Sequence, residues 1–125
     1  MSISLAEANA IWLAGAMDHF GQVGIKKNTM FLRLKTTLFH RLDVILSILG
    51  IERKPHGPFD NRGDSKTPQY EIVLVGKELV MLENMVAGRM KVRPYLFQRK
   101  REQLRELRAK LGLPATSRIA RPEEL

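Results

Sequence analysis

Apolar residues along this chain follow two different periods. Residues 7–19, EANAIWLAGAMDH, are apolar on almost every side of a helix. A helix of that kind is normally buried between other elements. Ser4 stands where it would cap the start, and Glu7 three residues later completes a capping box. The period then becomes two. Val23 and Ile25 alternate with Gln22, Gly24 and Lys26, and Met30, Leu32 and Leu34 alternate with Phe31, Arg33 and Lys35. Two such runs around Lys27, Asn28 and Thr29 predict a β-hairpin with one apolar face and one largely polar, basic face. Helical spacing returns over 38–49 with Leu38, Leu42, Ile45, Leu46 and Leu49. Thr37 stands at the capping position there, and Gly50 at the stop.

Residues 51–55, IERKP, predict a short strand, and 57–68 a polar loop. Residues 69–75, QYEIVLV, predict a strand with Tyr70, Ile72 and Leu74 on one face. Two further helices are expected at 77–87 and 95–111. Leu104, Leu107 and Leu111 mark the inner stripe of the last one, and Arg99, Lys100, Arg101, Arg105, Arg108 and Lys110 crowd the rest. Residues 1–111 read as one domain, and 112–125, punctuated by Pro114 and Pro122, as a C-terminal tail. The order α-β-β-α-β-β-α-α indicates an α+β fold with four strands and the helices on one side. One face of such a sheet stays uncovered.

Charge gives that face a partner class. The chain has 21 Lys and Arg against 13 Asp and Glu in 125 residues, a formal +8. Such an excess suits a polyanion. The absence of cysteine excludes disulfides and Cys-based zinc sites. Apolar runs fall short of the roughly 20 residues that a membrane helix requires. Residues 10–17 resemble a signal core but lack a basic flank, so an intracellular protein without membrane contact is expected.

Leu13-Ala14-Gly15-Ala16-Met17-Asp18-His19-Phe20-Gly21 is similar to the LAGLIDADG signature of homing endonucleases. It closes the first helix and runs into a hairpin. Leu49-Gly50-Ile51 and Pro94-Tyr95-Leu96 are further matches, and the resemblance spans roughly residues 5–108. It implies an αββαββα saddle whose antiparallel sheet lies along the DNA major groove, where strand side chains meet base edges. The residues in line for that contact are Gln22, Lys26, Asn28, Arg33 and Lys35 from the first hairpin, and Arg53, Lys54, Gln69 and Glu71 from the second. Arg62 and Lys66 in the long loop are candidates for phosphate. Arg99 matches a basic position that assists catalysis in some members; with Lys100 it can equally grip phosphate.

The family's motif occurs once here, so the resemblance implies a homodimer on a pseudo-palindromic duplex site. Its seam would be the stripe Ala8, Ile11, Trp12, Gly15 and His19, with Gly15 allowing close backbone approach. The resemblance also implies an acidic metal ligand at the eighth motif position. Here that position is Phe20, which has no oxygen to offer Mg²⁺. Asp18 is the nearest carboxylate and a weak substitute; His40 and His56 have no partners at ligand spacing. The expectation is a sequence-specific double-stranded DNA-binding protein, repressor-like or domesticated, that needs no cofactor. The alternatives are an active endonuclease using Asp18 with Mg²⁺, and an RNA-binding intron maturase.

Overall fold

A computed structural model of the chain describes residues 3–59 and 68–113. The elements are α1 (Leu5–Phe20), β1 (Gly21–Lys26), β2 (Thr29–Thr36), α2 (Phe39–Ile48), β3 (His56–Phe59), β4 (Gln69–Val75), α3 (Gly76–Val86) and α4 (Leu96–Lys110). The strands form one sheet in the order β1-β2-β4-β3, and each neighbouring pair is antiparallel. The helices pack on one face of it. There Met30, Leu32 and Leu34 of β2 and Ile72 and Leu74 of β4 meet Leu13 and Met17 of α1, Leu42 and Ile45 of α2, Leu79 and Leu82 of α3 and Leu104 of α4. The period-two residues between them point to the uncovered face. Among the described residues, no helix is long and apolar enough to cross a membrane.

The β1–β2 hairpin turns through Lys27 and Asn28, both left-handed at φ 52° and 63°. Two consecutive left-handed residues are what a type I′ turn demands, and its twist matches that of the flanking strands. Arg108 of α4 holds this turn by donating to the Asn28 carbonyl at 3.0 Å. α2 ends as the sequence predicts. Gly50 adopts φ 71°, its N–H donates to Ser47 O at 3.0 Å, and Ile51 N–H reaches back to Leu46 O at 2.9 Å. This is a Schellman closure. A Cβ at Gly50 would meet nothing within 4 Å, so conformation alone opposes substitution. Gly50→Ala is expected to cost about 1 kcal/mol, read as a lower urea midpoint at unchanged slope.

Several expectations shift. The third strand is His56–Phe59, not 51–55. Gly57 and Pro58 suggest a turn, but β3 is an edge strand, where a missing N–H is tolerated. Thr37 does not cap α2. Leu38 holds the N-cap position without a side-chain bond, and its N–H is taken at 3.2 Å by Thr36 Oγ1. Ser4 does cap α1, accepting from Glu7 N–H at 3.1 Å. The Glu7 carboxylate is drawn instead to Arg89 at the end of α3, in a two-pronged pair at 2.5 and 3.0 Å. Leu38 and Leu111 are exposed rather than inner-stripe residues, because each lies at a helix margin beyond the sheet. Gly112, at φ 71°, and Leu113 close α4; residues 114–125 lie outside the described residues.

Candidate nucleic-acid interface

Strand register sets out the uncovered face row by row. Gln22, Arg33 and Val73 form one row; Gly24, Phe31 and Val75 form the next. Lys26 sits opposite Thr29 at the hairpin end, while Lys35, Glu71 and His56 make the row at the other end. Gln22, Lys26, Arg33 and Lys35 are exposed, and Gln69 and Glu71 half-buried. Six of the expected contact residues therefore share one surface. Arg33 leans toward Glu71 at 3.5 Å and lies 5.6 Å from the centre of the Phe31 ring. Asn28 stands at the hairpin tip, with its carbonyl already accepting from Arg108.

Arg53 and Lys54 are placed elsewhere. With the third strand displaced, the segment before it runs along the sheet edge toward the helices. Arg53 forks onto the Glu78 carboxylate at 2.7 and 2.9 Å and donates to the Val73 carbonyl at 2.8 Å. Lys54 faces Asp43 of α2 at 3.6 Å. Arg62 and Lys66 lie outside the described residues. Arg99 and Lys100 open α4 beside the exposed Val92 and Tyr95.

The outer stripe of α1 is bare. Ala8, Ile11, Trp12 and His19 are exposed and Gly15 is half-buried. Ile11, Trp12, Gly15 and His19 of the stripe line a depression of about 260 Å³ together with Ala16, Phe20 and Arg41. The sequence predicts a helix covered on all sides, yet this chain covers one side of it. The sheet and α3 take Leu13, Ala14 and Met17, and among the described residues nothing reaches Ile11 or Trp12 deeply enough to bury them.

Phe20, at the last position of α1, packs partly into the core. Asp18 is buried, and both its oxygens are occupied. Oδ2 accepts from Lys91 N–H at 2.7 Å and Oδ1 from Arg93 N–H at 2.8 Å. Burial alone would raise its pKa. The amides of Arg93, Lys91 and Val92 and the Arg93 charge outweigh that and hold the carboxyl below its ordinary range. Asp18 thus anchors the α3–α4 connection. Phe20 brings no oxygen, and among the described residues no three His, Asp or Glu side chains converge on a metal site.

Arg93 escaped sequence reasoning altogether. Its guanidinium bonds the Met17 carbonyl and, at 2.9 Å, that of Gly21, while its Nε is buried without a partner. A cation over the last carbonyls of a helix meets the negative end of its dipole. The Gly21 of the motif has a packing reason of its own, since a Cβ there would sit 3.0 Å from Met17 O. Phe31, Val73 and Val75 were also overlooked as members of the open face. The period-two pattern places them there, between the charged positions.

No protein-family model matches this chain, and neither does any curated protein. Solved structures do match. The homing endonuclease I-CvuI, in complex with its target Sro1.3 in the presence of 2 mM Ca, aligns with 93% of this chain and 88% of its own, at TM-score 0.52 and 16% identity. The same enzyme with the I-CreI target C1221 and 2 mM Mg, its DNA not cleaved, aligns with 93% and 87% at TM-score 0.52 and 17% identity. At such identity the shared property is architecture. Among its described residues this chain has the α+β fold of a homing endonuclease, four helices against one face of a four-stranded antiparallel sheet.

Proposed function

We propose that this chain is a sequence-selective double-stranded DNA-binding protein that acts as a homodimer and does not cut its site. The observation carrying this reading is the uncovered sheet face, with Lys26, Lys27, Arg33 and Lys35 exposed on or beside it. A two-stranded ribbon fits the B-DNA major groove, and cations there meet a dense line of phosphates. The fold likeness to an endonuclease solved on its DNA target supports the same orientation. Deep, narrow A-form RNA would not admit such a sheet, which favours DNA over an intron-splicing role.

The dimer rests on α1. Its bare stripe is apolar, and Gly15 leaves open space where a second backbone can approach. Twofold pairing there presents two cationic faces to a pseudo-palindromic site. The non-cutting part rests on Phe20, which stands where the resembling family carries its metal-binding acid, and on Asp18, whose oxygens are committed to amides. A site-specific binder without cleavage suits a repressor, working inside the cell.

Selection from a random duplex pool tests the whole reading. A pseudo-palindrome is expected, with affinity falling steeply as salt rises. The selected duplex is then incubated with the protein and Mg²⁺ or Mn²⁺. It is expected to stay intact; strand scission there would restore the endonuclease alternative. Phe20→Asp should gain Mg²⁺-dependent binding at the dimer axis. Its failure to do so would misplace the motif.

A further inference from the structure

We infer that the strip Phe31, Val73 and Val75 on the open face reads the C5 methyl group of a pyrimidine in the major groove, thymine or 5-methylcytosine. This rests on the DNA-binding reading of that face and adds a specificity element to it.

These three side chains are neighbours. Phe31 pairs with Val75, and Val73 is one row along, opposite Arg33. Val73 is 37% and Val75 40% exposed, and they are the exposed large hydrophobic side chains of the described strands. A lone valine on a solvated strand is explained by β-propensity. A contiguous apolar floor ringed by cations is not. The strip forms a depression of about 420 Å³, rimmed by Lys26, Lys27 and Arg33. Those cations oppose an apolar protein partner unless it carries compensating acid. They suit a polyanion presenting a small apolar group, and in the major groove that group is the pyrimidine methyl, which apolar side chains contact.

The floor is also built to stay in place. A Cβ at Gly24 would lie 2.6 Å from Phe31 Cζ, so the ring fills the space left by the missing side chain across the strand. The Arg33 guanidinium, near the same ring, is the group suited to guanine O6 and N7. Adjacent rows on one strand face stand about 7 Å apart, close to two base steps for strands running along the groove. A methyl met by the Phe31–Val75 row is therefore expected about two base pairs from the Arg33-sensitive position, whereas Val73 shares the row of Arg33.

The experiment uses the full chain and its selected duplex. Each thymine is replaced singly by deoxyuridine, which removes only the methyl. One or two positions per half-site are expected to lose about fourfold in affinity, the effect of leaving one methyl unburied. A cytosine placed at such a position should bind more tightly once it carries a 5-methyl group. Val73→Ser, which removes both methyl groups at an exposed position, should reduce the thymine-over-uracil preference at its position, and Gly24→Ala should blunt it by displacing Phe31. Selective binding insensitive to every thymine-to-uracil change would overturn the inference and leave the DNA-binding reading standing. If Phe31→Ala alters self-association and not base preference, the strip is a protein contact and the inference fails. Failure to bind any duplex at low salt would sink both.

Discussion

Asp18→Ala is expected to lower folding stability by about 3–5 kcal/mol, the scale for stripping a buried, hydrogen-bonded carboxylate from its partners. Two backbone amides, those of Lys91 and Arg93, lose their acceptor together. The Arg93 guanidinium loses a compensating charge while still lodged against the Met17 and Gly21 carbonyls. In a domain stable by roughly 5–15 kcal/mol, that is a large share. Asp18→Asn does not rescue it, because the new NH₂ group faces an amide N–H. Urea denaturation of both variants measures the loss. The acid titration gives a second readout. The folded pKa of Asp18 lies below its unfolded value. Its stabilisation is therefore complete above the ordinary aspartate value of about 4 and is lost as pH falls through the folded pKa. The asparagine variant should show a flatter decline below that value. An Asp18→Asn protein as stable as the parent would free the carboxylate for another role, and the metal-dependent alternative would return.

Gly15→Leu is expected to dissociate the proposed dimer while sparing the protomer. Space is open around Gly15 within this chain, and leucine is the better helix former by about 0.5–1 kcal/mol. The protomer should thus unfold at equal or higher denaturant. Across a twofold axis the same side chain meets its own copy where two backbones must nearly touch. Sedimentation should report monomers, and affinity for the full pseudo-palindrome should drop about 10²–10⁴-fold as two tethered half-sites become separate events. A wild-type chain that sediments as a monomer on and off DNA would remove the basis for this. So would a leucine variant that stays paired.

What the sequence disclosed follows from which forces act locally. Alternation in 22–26 and 30–35 places Gln22, Lys26, Arg33 and Lys35 together on the open face, because a pleated strand leaves no choice of side. Gly50 marks the end of α2 because only the backbone is involved. The third strand was misplaced because edge pairing with β4, a tertiary effect, overrides the turn signal of Gly57 and Pro58. That one shift carried Arg53 and Lys54 from the expected DNA face to the helix side. Arg93 was invisible for a related reason. Its partners, Met17 and Gly21, lie more than seventy positions away and offer carbonyls, which every residue has. Asp18 stood out as a carboxylate, but no local pattern announces that two amides of a distant connection will claim it.

Arg53 has a bearing on solubility. The outer side of β4 is paired by β3 only near Gln69 and Glu71, so its ladder stops short of Val73. A strand margin with free acceptors is a template onto which another polypeptide can add in cross-β fashion. The guanidinium fills the Val73 carbonyl and is itself pinned by Glu78. A polypeptide approaching that rim encounters a bulky, fixed cation in place of an inviting acceptor. Arg53, bonded to Glu78 and to the Val73 carbonyl, thus stands where an added strand would have to pair.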